Sequence, residues 1–253
     1  MATPRFLITS ATAALVLQSF SFLNATEPAS SNPFPLTLAA PASAAQTVYT
    51  PPLRPKPIFR TDSTGSRGCF QKDKPAQLSL LVPERHIGQT VSARPSFFWY
   101  LENAKVARFA LVEFGVAKPL FEKTLQADKA GIMRVDLPQD APELAVGKEY
   151  RWSVTVACNP NRPSDYVAFN QSFVERVAPS PGLSQQLARA KTTLERARAY
   201  AQNGLWYDAL GSLSDASEKD PSARNEMLFM LDQVGLTRVT GFARRNDQAM
   251  KFR

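Results

Sequence analysis

The stretch "YRWSVTVAC", Tyr150 to Cys158, decides the fold. Tyr150, Trp152, Val154, Val156 and Cys158 fall on one face of an extended chain, and Arg151, Ser153, Thr155 and Ala157 on the other. This period of two marks a β-strand whose first set faces a core. Just upstream, Leu144-x-x-Gly147-x-x-Tyr150-x-Trp152 has the spacing that places a tyrosine at the corner between two sheets, its hydroxyl bonded back to backbone. Tyr150 therefore reads as a structural residue, not a catalytic one.

Outward from this strand the same period recurs. Candidate strands are residues 77–82, 96–101, 107–114, 120–125, 131–137, 149–158 and 166–177, with turn residues between them. Seven short runs of this kind predict an antiparallel sandwich of the immunoglobulin or fibronectin type over residues 68–178.

Beyond Pro181 the period becomes helical. Leu183, Leu187, Ala190, Leu194, Ala197 and Ala201 recur at spacings of three and four, which predicts one continuous apolar helix face. "NGLWYDAL" turns the chain at Asn203-Gly204 into a second helix carrying Trp206, Ala209, Leu210, Leu213 and Ala216. Asp220-Pro221 caps a third that stops at Gly235. The expectation is a mainly β chain with α content: the sandwich, then a small three-helix module over residues 182–240. Ala197, Gly204, Ala209, Ala216 and Pro221 stand where a tetratricopeptide repeat places its packing alanines, turn glycine and terminal proline, with Tyr200 and Leu213 as larger partners. Thr193 and Arg196 depart from that motif, which wants bulky apolar residues there, and there is no second copy. One helical pair cannot bury its own apolar face, so the module must pack on something.

The chain has 253 residues, 44% hydrophobic and 21% charged, enough to bury a real core. One cation, Arg5, precedes an apolar run from Phe6 to Leu23, and small residues follow. Residues 1–45 read as a secretory signal peptide and leader, cut after Ala42-Ser43-Ala44 or, alternatively, after Ala25. Residues 46–67, with Pro51, Pro52, Pro55 and Pro57, read as an extended linker. Residues 241–253 read as a basic tail carrying Arg244, Arg245, Lys251 and Arg253. The net charge of +8 comes wholly from the two ends, because residues 76–235 hold eighteen charges of each sign. A nucleic-acid reader would carry basic charge along one face of a recognised fold, so nucleic acid is not an expected partner. Basic ends on an exported protein suit anionic envelope surfaces, or serve only solubility.

Cys69 and Cys158 are the only cysteines. In an oxidising compartment they are expected to pair, closing a loop of about 90 residues at roughly 4 to 5 kcal/mol in the chain-entropy model. Two inert buried thiols are the alternative.

"RPSFFWYLENAKVARFALVEF", Arg94 to Phe114, contains four aromatic residues in a row. Phe97, Trp99 and Leu101 can face the sandwich core while Phe98 and Tyr100 point the other way. Two occupants suit that second face: the helical module docked on the sandwich, or a sugar stacked on Tyr100 and its neighbour. Phe98, Tyr100, Trp206 and Tyr207 are thus candidate interaction residues, as is Arg162 in the loop "NPNRPSD".

The ordered set "RGC" (Arg67 to Cys69), "LSLLVPERHIGQTVSARPSFFWY" (Leu78 to Tyr100), "ARFAL" (Ala107 to Leu111), "VGKEYRWSVTVACNPNRPSD" (Val146 to Asp165) and "GLWYDAL" (Gly204 to Leu210) resembles the cyanobacterial domain-of-unknown-function 928 family (DUF928). The resemblance covers roughly residues 65–240, implies export, and implies that both modules act as one unit. It supplies no activity, cofactor or catalytic residue.

The single histidine, His86, excludes a metal site built on histidines. No nucleophile-elbow motif accompanies it, and "GSRG" at Gly65 to Gly68 lacks the Lys-Ser/Thr of a phosphate loop. The expectation is a non-catalytic exported protein of the periplasm or cell exterior, without cofactor or metal, that acts by protein interaction or assembly. The alternative is a carbohydrate-binding module for wall or extracellular glycan, and third an enzyme without a recognisable motif.

Overall fold

The computed structural model describes residues 46–52, 76–102, 106–127, 129–157 and 166–245. Eight strands come first: β1 (Gln77–Leu80), β2 (Gly88–Thr90), β3 (Ser96–Glu102), β4 (Val106–Glu113), β5 (Phe121–Gln126), β6 (Gly131–Asp136), β7 (Glu149–Ala157) and β8 (Tyr166–Arg176). Five helices follow: α1 (Pro181–Arg189), α2 (Thr193–Gln202), α3 (Trp206–Ser217), α4 (Pro221–Gln233) and α5 (Thr237–Arg245).

The strands form two sheets, one ordered β1-β3-β6 and the other β2-β8-β7-β4-β5. β7 lies at the centre of the larger sheet, and its alternation is realised: Tyr150, Trp152, Val154 and Val156 are buried while Arg151 is exposed. Tyr150 closes the corner as expected, its hydroxyl accepting from the Ala145 N–H at 2.8 Å. Gly147, at φ 81, supplies the left-handed turn between them. The sheets meet through aromatic rings: Phe97 lies 5.0 Å from Phe109 and 5.2 Å from Trp152, and Trp99 stacks on Phe109 at 6.1 Å.

Seven of the eight strands match the expected ones to within two residues at each end. β2 was not anticipated, because three residues are too few to show a period. It pairs parallel to β8, so the larger sheet is mixed where an antiparallel sandwich was expected. The expected continuous first helix is broken into α1 and α2. Thr192 forms a capping box with Glu195: the Thr192 hydroxyl accepts from the Glu195 N–H at 3.1 Å and the Glu195 carboxylate accepts from the Thr192 N–H at 3.3 Å. The Thr-x-x-Glu signal starts a new helix inside the apolar stripe. The module thus has five helices among the described residues, not three, and Arg244 and Arg245 belong to α5 instead of a free tail.

The helices do not stand apart from the sheets. Trp206 and Tyr207 open α3 and are both buried in the common core, the Trp206 indole donating to the Leu81 carbonyl at 2.9 Å. The other face of β3 is covered as well. Arg134 lies over the Phe98 ring at 5.5 Å and donates to Ser214 of α3, while Phe242 of α5 meets Tyr100 edge-on at 5.1 Å. No helix among the described residues is long and apolar enough to cross a membrane.

Candidate functional site

The residues expected to form a plain linker do more than connect. Residues 46–52 run extended across the helices with alternating burial: Thr47 and Tyr49 are buried, Val48 and Thr50 exposed. This segment, the strap, is seated by both backbone and side chains. The Tyr49 N–H donates to the Gln233 side chain at 3.0 Å, and the Thr50 N–H to the Ala201 carbonyl at 3.0 Å. The Thr47 hydroxyl donates to the Glu226 carboxylate. Glu226 is itself buried and paired with Arg198, whose Nε donates to it at 3.0 Å. A buried carboxylate needs such a partner, and here cation and hydroxyl share its oxygens.

Tyr49 reaches deepest. Its ring meets Trp206 edge-on at 5.0 Å and stacks on His86 at 5.8 Å. Its hydroxyl lies 2.7 Å from His86 Nε2 and donates weakly to the Gly204 carbonyl at 3.4 Å. Burial lowers the pKa of His86, keeping the imidazole neutral near pH 7, and raises that of the Tyr49 phenol. Both shifts disfavour charge. The pair is a neutral hydrogen bond that holds the ring, and the phenol is held away from its nucleophilic form. Gly204, at φ 75, admits the strap: a Cβ there would lie 3.2 Å from Pro52.

Beside this pair opens a cleft of about 450 Å³, lined among others by Pro51, Glu84, Arg85, His86 and Gly235. A smaller one of about 280 Å³ lies where α3 meets the loop after β2, lined by Arg94, Asp208 and Asp215. Asp208 accepts from the Val91 N–H at 3.0 Å, and burial pushes its pKa up to about 6 against the opposing pull of those hydrogen bonds. No group of three metal-ligating side chains occurs among the described residues.

Of the residues singled out in the sequence, Phe98, Tyr100, Trp206 and Tyr207 come together, and all four are buried by the chain itself. The apolar face of the helices and the second face of β3 cover each other, so these rings offer no surface to a ligand. Arg244 pairs with Asp232 and Arg245 is exposed. Cys69, Cys158, Arg162, Lys251 and Arg253, with the leader, lie outside the described residues. Sequence reading missed Thr47, Tyr49, Arg198 and Glu226. The signal available was a Thr-x-Tyr alternation inside a proline-rich run. The structure adds an exposed apolar end to the larger sheet: Phe114, 72% exposed, and Val116 in the β4–β5 hairpin, beside Val146 in the loop before β7. The register places these loops at one end, since Glu113 pairs with Tyr150 and the Phe114 N–H donates to the Glu149 carbonyl.

These features define a β/α protein in which two sheets and a helical module share one core. The chain belongs to the family described as Domain of Unknown Function (DUF928), whose model matches residues 62–241. That span holds both sheets and the helices as far as α5, and leaves the strap outside it. Among curated proteins none matches the chain.

Proposed function

We propose that this is a non-catalytic exported protein of the cell envelope, acting by protein–protein contact or assembly. The observation that carries this reading is the exposed apolar end formed by Phe114, Val116 and Val146 on an otherwise well-packed body. Apolar residues gathered at one exposed end mark contact sites, whereas single ones need no explanation. The use of His86 to hold Tyr49 supports the same reading, because the one imidazole of the chain serves packing. A glycan would have to use residues other than Phe98 and Tyr100, whose rings are covered.

In this reading the sheets form an immunoglobulin-like sandwich. β1-β3-β6 corresponds to strands A, B and E, and β8-β7-β4-β5 to G, F, C and C′, with the tyrosine corner at the start of F. α2 and α3 form one tetratricopeptide-like pair. Cys69 and Cys158 are joined by a disulfide in the oxidising compartment; two titratable thiols on unreduced, denatured protein would remove that part. The basic ends meet anionic envelope material.

The test is cross-linking of the mature protein in envelope fractions, comparing the parent with a Phe114→Ser, Val116→Ser variant. A stoichiometric protein partner lost in the variant is expected. Co-sedimentation with purified wall glycan, unchanged in the variant and without protein, would overturn the reading in favour of glycan binding.

A further inference from the structure

The strap is bound the way a protein binds a peptide. An extended segment buries alternate side chains in pockets of a helical surface and gives its backbone N–H groups to fixed acceptors. The pockets are specific. Glu226, held by Arg198, takes a hydroxyl; Trp206, His86 and the Gly204 carbonyl enclose a tyrosine; Gln233 and the Ala201 carbonyl take the backbone N–H groups of Tyr49 and Thr50. The alternate side chains, Val48 and Thr50, are exposed and are not read.

Every wall of this groove lies within the family match at residues 62–241, and the segment that fills it does not. Occupant and site thus come from different stretches of the chain. Between Pro52 and the first residue of the sheet region, Ala76, lie 23 residues. A chain of that length spans up to about 80 Å when fully extended, so its length alone does not force the strap into the groove.

We propose that the groove formed by α2, α4, the Gly204 turn and the His86 loop is a peptide-recognition site for extended Thr-x-Tyr segments. The chain's own residues 46–52 are its resident ligand, and a partner's segment enters only by displacing them. This deepens the protein-contact reading given above and rests on it, naming a second place and a sequence pattern for the partner. A ligand carried on the same chain competes at a higher local concentration than a free one, so an intact chain excludes weak competitors. Releasing the tether makes the site available.

The experiment uses the full mature chain with a protease site inserted between Thr61 and Asp62. Cleavage is carried out in a large excess of a synthetic peptide of residues Ala45 to Arg54, fluorescein-labelled at its carboxyl end, so that the groove never stands empty. The expected result is saturable uptake of label by the cut chain and little by the uncut one. Unlabelled parent peptide competes, and peptides carrying Tyr49→Ala or Thr47→Ala compete at least about tenfold more weakly. Glu226→Gln in the protein weakens uptake of the parent peptide and narrows the difference between it and the Thr47→Ala peptide. Equal uptake by cut and uncut chains, indifference to Tyr49→Ala, absence of uptake by a folded cut chain, or aggregation in spite of the peptide would each overturn the proposal. Peptide uptake without any envelope partner in the cross-linking test would leave the groove standing and remove the wider reading; a partner without peptide uptake would do the reverse.

Discussion

Trp152 in the central strand β7 donates its indole N–H to the Tyr207 hydroxyl at the start of α3, at 2.8 Å, and Tyr207 in turn donates to the Phe173 carbonyl of β8 at 2.9 Å. One side chain of the helical module thus completes the hydrogen bonding of two adjacent strands inside the core. Tyr207→Phe keeps the ring and removes the relay, leaving a buried N–H and a carbonyl without their partner. The expected loss is about 1–3 kcal/mol. Urea unfolding should show it as a lower midpoint with an unchanged slope.

The same ring dictates a glycine. A Cβ on Gly88 would lie 2.8 Å from Tyr207 Cε2, nearer than real contacts allow, and Tyr207 is packed too tightly to withdraw. Gly88→Ala should therefore destabilise by about 1–3 kcal/mol as an overpacking substitution. Gly88→Ala combined with Tyr207→Ala should recover part of the clash, and thermal melts of the two singles and the double measure that coupling.

Because Trp206 and Phe98 are buried at the junction, sheets and helices should unfold together. Trp206→Ala is expected to cost about 3–5 kcal/mol. Far-ultraviolet circular dichroism at the helix band and near-ultraviolet signals from the aromatic core should move to lower temperature by the same amount. A helical transition that shifts alone would mean that the two parts are independently stable.

Much of this was legible in the sequence, and the reasons are physical. The alternation in β7 and the tyrosine corner are period-two and fixed-offset signals inside one element, and they carried through to register. The burial of Phe98 and Tyr100 by the helices followed from a double surplus: a strand with two apolar faces and a helical pair that could not cover itself. β2 was invisible because three residues carry no period, and its parallel pairing to β8 depends on a partner nearly ninety positions away. The α1–α2 break was present as Thr192-x-x-Glu195 but hidden under a longer apolar stripe. The strap was masked by its prolines, because composition speaks of the backbone and says nothing of what Thr47 and Tyr49 can reach.

Asp208 gives a pH dependence of defined sign. Its pKa in the folded protein is pushed up to about 6, above the ordinary value of 3.8, so between those two values the native state holds more of its proton than the unfolded chain. Stability from this group is therefore greatest below pH 4 and falls as pH rises to about 6. His86 acts oppositely, since its lowered pKa makes stability fall as pH drops below 6.5. The comparison that isolates Asp208 is Asp208→Asn, which retains an acceptor for the Val91 N–H. Between pH 4 and pH 6.5 the variant should gain about 2 kcal/mol relative to the parent. An unchanged difference across that range would show that Asp208 is not the titrating group.

The edge-on contact of Phe242 with Tyr100 makes α5 the lid of β3, and an optical test follows. Burial, with the neighbouring Glu102 carboxylate that accepts from the phenol at 2.9 Å, holds the Tyr100 pKa above the ordinary value of 10. Phe242→Ala should open this corner while leaving the core rings Phe97, Trp99 and Trp152 in place. Phe242 is only half-buried, so the expected loss of stability is about 2 kcal/mol, below that for a fully buried ring. The sharper readout is the absorbance of phenolate: in the variant one more tyrosine should titrate at moderately alkaline pH than in the parent, still above 10 because Glu102 remains, with Tyr49 and Tyr207 held back by burial. Double substitution with Tyr100→Phe should remove that extra tyrosine and little else. If instead the parent and Phe242→Ala curves coincide while both proteins remain folded, α5 does not cover β3 in solution, and Tyr100 becomes an open aromatic face again.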